Sequence, residues 1–171
     1  GGTITVHSVL GHGTEFTIDI GLDVRIEEDG KHSSENENKI STDCFCGKRV
    51  LVVEDNELNR EIIAEILKEE GFLIEEAVNG AEAIDKVIHS RDGYFDLILM
   101  DIQMPVMDGY KATREIRRMK EPALAGIPIV ALTANAFEED KKKCFAAGMN
   151  GHIEKPVNSQ IIRNTLANIL S

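Results

Sequence analysis

Acidic residues that follow apolar runs are the residues of this chain best suited to chemistry. Asp101 comes directly after the run Leu97–Met100. Glu54 and Asp55 follow a similar run at 50–53. Such runs predict strands buried on both faces, and the carboxyl ends of parallel strands meet in the crevice where open α/β sheets bind ligands. A buried strand gains no stability from a terminal charge. Asp101 is therefore either a cap of the next turn or a reactive carboxylate, and the residues at the other strand ends decide between the two.

Two more polar residues are predicted at the same sheet edge. Thr133 follows the apolar run 127–132, and Lys155 precedes Pro156 after a short fifth strand. Clustered carboxylates repel one another, and a divalent cation relieves that repulsion. Oxygen ligands with room for water suit Mg²⁺. The predicted metal ligands are Glu54, Asp55, Asp101 and the backbone carbonyl of Gln103.

These groups together can accept a phosphoryl group. A carboxylate such as Asp101 can attack phosphorus and become an acyl phosphate. The metal, Lys155 and the Thr133 hydroxyl would neutralise charge on the transferring oxygens. Dehalogenase-type phosphatases also use a strand-end aspartate, but they need a second aspartate two positions later as general acid. Gln103 occupies that position and cannot donate a proton in that way, so we predict acceptance without a built-in general acid.

The elements that must position these residues alternate between strand and helix from Lys48 onward. Asn56 can cap a first helix that Gly71 ends. The pattern predicts a doubly wound five-stranded parallel α/β sheet. The predicted strands are 50–53, 73–78, 95–100, 127–132 and a short one at 152–153, and the later helices are 81–89, 110–119, 136–147 and 161–170.

The first 47 residues have a different composition. Residues 1–24 alternate apolar and polar side chains around a glycine-rich turn, which predicts a β-hairpin too small to bury a core alone. Residues 25–47 are polar and aperiodic, which is typical of a linker. The predicted organisation is therefore a hairpin at 1–24, a linker at 25–47 and one domain at 48–171.

Composition excludes several classes of function. The formal net charge of −11 argues against binding of nucleic acid. No apolar stretch reaches the about 18 residues of a membrane span, and we see no signal peptide. The three cysteines provide neither a zinc ligand set nor a disulfide framework. We therefore expect a reducing, cytosolic environment.

Residues 48–171 resemble the receiver domain of two-component response regulators. The segments that carry the resemblance are VLVVEDN, LILMDIQMPVMDG, ALTANA and GHIEKP. The resemblance implies a flavodoxin-like fold, Asp101 as phosphoacceptor, Glu54 and Asp55 as Mg²⁺ ligands, and Thr133 and Lys155 as phosphoryl-sensing residues. It also implies a phosphohistidine donor on another domain and commonly a cis bond before the proline that matches Pro156.

The hairpin segment GGTITVHSVLGHGTEFTIDI resembles the C-terminal end of a histidine-kinase ATP-binding domain. Its last glycine box would be Gly11-x-Gly13-Thr14-x-Phe16. The other ATP boxes and a phosphodonor histidine are not found in the sequence. The resemblance thus implies the C-terminal part of a hybrid sensor histidine kinase, cytoplasmic and without membrane contact, which accepts phosphate and does not phosphorylate itself.

Two functions fit these residues at this stage. In a phosphorelay, Asp101 would pass the phosphoryl group to a histidine phosphotransfer domain. In the alternative, the receiver controls or drains its own kinase through phosphorylation-dependent contacts. His152 stands where the family often has an aromatic switch residue, and both a switch and a partly buried structural histidine fit it.

Overall fold

The computed structural model describes residues 2–9, 11, 13–20, 45–134 and 137–170. Contacts divide the chain into two compact units, residues 1–38 and 39–171. Among the described residues, no helix is long and apolar enough to cross a membrane. The predicted linker up to Cys44 and the pair Asn135–Ala136 of the ALTANA segment lie outside the described residues.

The first unit contains an antiparallel hairpin of β1 (Gly2–Val9) and β2 (Gly13–Ile20). Gly11 and Gly13 have φ angles of 82° and 101° at the turn, a region that only glycine adopts without strain. Ile4 pairs with Ile18, and Val6 pairs with Phe16, so these four exposed apolar side chains share one face. The predicted hairpin is confirmed.

The second unit contains a five-stranded parallel sheet in the order β4-β3-β5-β6-β7. The doubly wound α/β sheet predicted from the sequence is confirmed. Its strands are β3 (Arg49–Val53), β4 (Leu73–Ala77), β5 (Leu97–Asp101), β6 (Ile129–Thr133) and β7 (Gly151–Glu154). Its helices are α1 (Glu57–Glu69), α2 (Gly80–Ile88), α3 (Gly109–Arg117), α4 (Pro122–Ala125), α5 (Glu138–Ala147) and α6 (Ser159–Leu170).

Burial explains why the central strands read as unbroken apolar runs. All residues of β5 and β6 are buried, because helices cover both faces of the sheet. One apolar cluster lies on each side of it. The side chain of Asn56 accepts the Asn59 N–H and begins α1, and Gly71, with φ of 89°, follows the end of this helix.

The structured part of the second unit begins before Lys48. Phe45, which the sequence placed in the linker, is 2% exposed and stacks on Phe72 with the ring centroids 4.8 Å apart. The Gly47 N–H donates to the Gly71 carbonyl at 3.1 Å. Phe45 therefore packs as a core residue at the N-terminal border of the sheet domain.

Candidate functional site

The predicted site residues meet at the carboxyl edge of the sheet. Glu54 directly follows β3, Asp101 and Thr133 are the last residues of β5 and β6, and Lys155 directly follows β7. Together with Asp55 and Gln103, they line one cleft. The topology creates this site, since all five strands point in the same direction.

Three carboxylates cluster in this cleft. One oxygen from each of Glu54, Asp55 and Asp101 lies within 4.8 Å of the other two. Glu54 and Asp101 are 1% and 5% exposed, whereas Asp55 is exposed. Two ligands on opposite sides of one Mg²⁺ ion are about 4.2 Å apart, twice the metal–oxygen distance. Neighbouring ligands of the same ion are only about 3 Å apart, so the three side chains would have to draw together to hold one ion.

Lys155 bridges two of these carboxylates. Its Nζ donates to Glu54 Oε2 at 2.6 Å and to Asp101 Oδ2 at 2.8 Å. Its backbone N–H donates to the Thr133 carbonyl at 2.8 Å, which places the Lys155 backbone beside the end of β6. The bond from Lys155 to Pro156 is cis, as the family resemblance implied.

Burial and pairing act in opposite directions on the titration of this pair. Burial raises the pKa of Asp101, and the hydrogen bond from Lys155 offsets only part of that rise. Burial lowers the pKa of Lys155, but its hydrogen bonds to Asp101 and Glu54 outweigh burial and raise the pKa above the ordinary lysine value. The ammonium form of Lys155 is therefore the form that the cleft stabilises.

The backbone around Asp101 is held closely. The Gln103 N–H donates to Asp101 Oδ1 at 3.2 Å, so both carboxylate oxygens of Asp101 have a donor. A Cβ atom on Gly109 would lie 2.2 Å from the Asp101 carbonyl oxygen, which excludes every other residue unless the backbone shifts. The first residue of α3 thus packs directly on the backbone of Asp101.

Asn59 and Arg60 of α1 also contact the site, and the sequence did not single them out. Asn59 Nδ2 donates to Glu54 Oε1 at 3.1 Å. Arg60 donates from a terminal guanidinium nitrogen to the Glu54 carbonyl at 3.0 Å and from Nε to Glu76 Oε2 at 2.9 Å. The only feature of the sequence that could have indicated these contacts is the spacing of the two residues from Asn56. In a helix that begins at Asn56, the first turn lies next to the end of the preceding strand.

His152 lies in β7 beside Ala131 of β6 and is partly buried. It is not among the residues that line the cleft. Its position at the edge of the sheet is compatible with either of the roles considered above.

A family model of the response regulator receiver domain matches residues 50–167. The chain belongs to this family. The receiver is 41% identical over 119 residues to the hybrid signal transduction histidine kinase L of Dictyostelium discoideum, an alignment that covers 69% of this chain. The receiver chain spans only 7% of the length of that relative.

Two solved structures resemble the receiver closely. The first is the receiver domain of sensor histidine kinase PA1611 from Pseudomonas aeruginosa, with a magnesium ion coordinated in its active site cleft. It has a TM-score of 0.65 and 37% identity and covers 73% of this chain and 98% of that one. The second is the Saccharomyces cerevisiae complex of the histidine phosphotransfer protein Ypd1 with the Ssk1 receiver domain. It has a TM-score of 0.63 and 33% identity and covers 72% of this chain and 88% of that one.

Proposed function

We propose that this receiver accepts a phosphoryl group on Asp101 from a phosphohistidine of a partner domain and passes it on in a phosphorelay. The observation that carries the proposal is the cleft in which a buried carboxylate, two further acids and a bridging ammonium meet. Membership of the receiver family supports it.

The cleft fits a magnesium ion in charge and in ligand type. Three carboxylates and one ammonium leave two excess negative charges, which one divalent cation would neutralise. We propose Glu54, Asp55, Asp101 and the carbonyl of Gln103 as the residues that hold it. When bound, Mg²⁺ would offset negative charge on the transferring phosphoryl oxygens.

The residues of the chain account for the remaining chemistry. An oxygen of the Asp101 carboxylate attacks phosphorus, the P–N bond of the phosphohistidine breaks, and its electron pair remains on the imidazole. Lys155 Nζ, 2.8 Å from Asp101 Oδ2, is placed to donate to the phosphoryl group on Asp101. We assign the Thr133 hydroxyl, at the adjacent strand end, to the same task.

Partners follow from this chemistry. The donor is a histidine-kinase domain, and we propose a histidine phosphotransfer domain as the next acceptor. The Ypd1 complex with the Ssk1 receiver supports this assignment, because it pairs a protein of that class with a receiver of this fold. The relay is favoured over the alternative in which the receiver only controls its own kinase.

We further propose that residues 1–24 are the end of a histidine-kinase ATP-binding domain, that 25–47 are a linker and that 48–171 are the receiver. The antiparallel hairpin with glycines in its turn and the hybrid kinases among the relatives support this organisation. The cytoplasmic location stays a prediction of the sequence.

Labelling with acetyl phosphate and Mg²⁺ tests acceptance without any partner. We expect wild-type protein to gain one hydroxylamine-sensitive phosphoryl group, and Asp101→Asn to gain none. Asp108→Asn is the matched control, because Asp108 lines the same cleft and caps α3, a role that asparagine also fills. Equal labelling of Asp101→Asn and wild type, measured by intact mass, would refute Asp101 as the acceptor.

Transfer tests the relay itself. We expect labelled receiver to lose its phosphoryl group rapidly to a histidine phosphotransfer domain, and the label to appear on that domain's histidine. If label from a competent receiver reaches only water with every phosphotransfer domain supplied, the relay is wrong and the regulatory alternative stands.

A further inference from the structure

Both carboxylate oxygens of Glu54 are occupied, by donors of different kinds. Lys155 Nζ donates to Oε2 at 2.6 Å, and Asn59 Nδ2 donates to Oε1 at 3.1 Å. Glu54 is 1% exposed, so its orientation depends on these two contacts rather than on water. The first donor is an ammonium, and the second is a neutral amide.

The position of Asn59 is itself fixed by the cap of α1. Its backbone N–H donates to Asn56 Oδ1 at 3.0 Å, within the cap that begins α1. The next residue, Arg60, holds the Glu54 carbonyl at 3.0 Å. Asn59 and Arg60, in the first turn of α1, therefore both donate hydrogen bonds to Glu54, the residue after β3. Asn59 donates to its side chain and Arg60 to its backbone carbonyl.

The two donors respond differently to a cation in the cleft. Lys155 is shared between Glu54 and Asp101, and its positive charge repels a metal ion that approaches Glu54. The amide of Asn59 carries no net charge and is not repelled in this way. Asn59 also approaches Oε1, on the side of the carboxylate that Lys155 does not hold.

We propose that Asn59 is a positioning residue that holds Glu54 in the orientation required for a divalent cation and thereby sets the affinity of the cleft for Mg²⁺. The inference rests on the metal site of the proposed function. Partners that orient metal ligands typically contribute about 10-fold or more to metal affinity. Mg²⁺ requires near-ideal octahedral geometry, whereas Ca²⁺ tolerates irregular sites. Loss of orientation should therefore weaken Mg²⁺ more than Ca²⁺.

The test is titration of the full chain with MgCl₂ and, separately, with CaCl₂ by calorimetry. We expect Asn59→Leu, which keeps the side-chain size, and Asn59→Ala to bind Mg²⁺ about 10-fold more weakly than wild type, with a smaller loss for Ca²⁺. The matched control is Asn164→Ala at an exposed position of α6, which should bind both ions like wild type.

Thermal unfolding with and without Mg²⁺ separates positioning from a structural role. A merely structural Asn59 would lower the metal-free melting temperature and leave the rise produced by Mg²⁺ unchanged, and that result would overturn the inference. Unchanged Mg²⁺ affinity in both Asn59 variants, or equal losses for Mg²⁺ and Ca²⁺, would also overturn it. Failure of the wild type to bind Mg²⁺ would instead refute the metal site of the proposed function.

Discussion

Lys155 illustrates how one side chain can balance a buried acidic cleft. Its ammonium contacts Glu54 and Asp101, which are both buried. Removal of one partner from a buried ion pair leaves an uncompensated charge, and the cost of that charge exceeds what the pair itself contributes. Lys155 therefore supports the metal-free cleft as well as the phosphoryl chemistry that we propose.

Tyr110 gives a prediction for alkaline pH. Burial raises its pKa to about 12, with a further contribution from nearby Cys144. An unfolded tyrosine has a pKa of about 10, so between these values the unfolded state releases a proton that the folded state retains. We expect the free energy of unfolding to fall across this window as pH rises.

Urea unfolding of wild type and Tyr110→Phe across this range measures the effect. The variant lacks this proton, while the titrating lysines are common to both proteins. The stability difference between the two proteins should therefore change with pH above about 10 and be constant below it. A difference that stays constant over the whole range would contradict the assigned environment of Tyr110.

At the scale of single residues, the sequence predicted what lies at strand ends and not what lies on helices. Glu54, Asp101 and Thr133 each follow an apolar run, so their type and position are visible together. Asn59 and Arg60 lie one helical turn beyond such a run. Their contacts to Glu54 depend on how α1 packs, and no local pattern encodes that packing.

Among the elements, Arg117 joins α3 to the segments around α4 and α5. Its guanidinium donates to the carbonyls of Ala125, Ile127 and Gly148 and to Asn150 Oδ1, at 2.7 to 2.9 Å. Burial lowers the pKa of Arg117, and these four acceptors are all neutral oxygens. The five N–H donors of the planar arginine fork can reach all four of these acceptors, whereas a lysine ammonium has only three donors.

We therefore expect Arg117→Lys to lower the free energy of unfolding by about 2–4 kcal/mol, because an ammonium leaves several of these carbonyls without a donor. Urea denaturation measures the change. Arg118→Lys is the neighbouring control. The Arg118 side chain is 71% exposed and, within the described part of the chain, pairs only with Glu115, so we expect a change below about 0.5 kcal/mol. Similar losses in both variants would argue against a special role of Arg117.

The longer helices and strands were predictable because their burial produces a clear pattern of apolar residues in the sequence. β5 and β6 are apolar up to their last residues, Asp101 and Thr133, because both faces of each strand are covered. The helix α4 was missed because four residues, Pro122–Ala125, are too short to show a helical period. Val106 was also unpredictable: its φ of 68° is rare for a β-branched residue and is imposed by the loop around it.

For the whole molecule, the boundary of the folded domain can be tested by truncation. Both apolar clusters lie between Phe45 and Leu170. We expect residues 39–171 alone to unfold cooperatively, with a midpoint within about 4 °C of the full chain, which corresponds to about 1 kcal/mol for a domain of this size. Circular dichroism melts of both proteins provide the comparison.

A shorter truncation should behave differently. Residues 48–171 lack Phe45, whose ring is buried against Phe72. Loss of a buried phenylalanine costs about 3–5 kcal/mol, so the midpoint should fall by about 10 °C or more. Phe45→Ala in the full chain should reproduce most of this fall. Equal stability of the two truncations would show that Phe45 contributes little to the core.

The sequence predicted the sheet domain as a whole, but it placed Phe45 in the linker. An isolated aromatic between two cysteines has no periodic context, so its burial depends on the distant Phe72. The hairpin was visible because alternation and glycines encode it locally. Long-range packing is thus the part of the molecule that single-sequence reasoning misses.

The close packing of Gly109 on Asp101 limits which amino acids position 109 can carry. It carries no chemical group, yet its missing side chain leaves the space that the Asp101 carbonyl occupies. Any other amino acid at this position would act on Asp101, the acceptor that we propose, through the backbone. If Asp101 has the proposed role, a residue without any reactive group is therefore constrained by phosphate acceptance. We expect a scan of all substitutions to find Gly109 as intolerant of change as Asp101 itself.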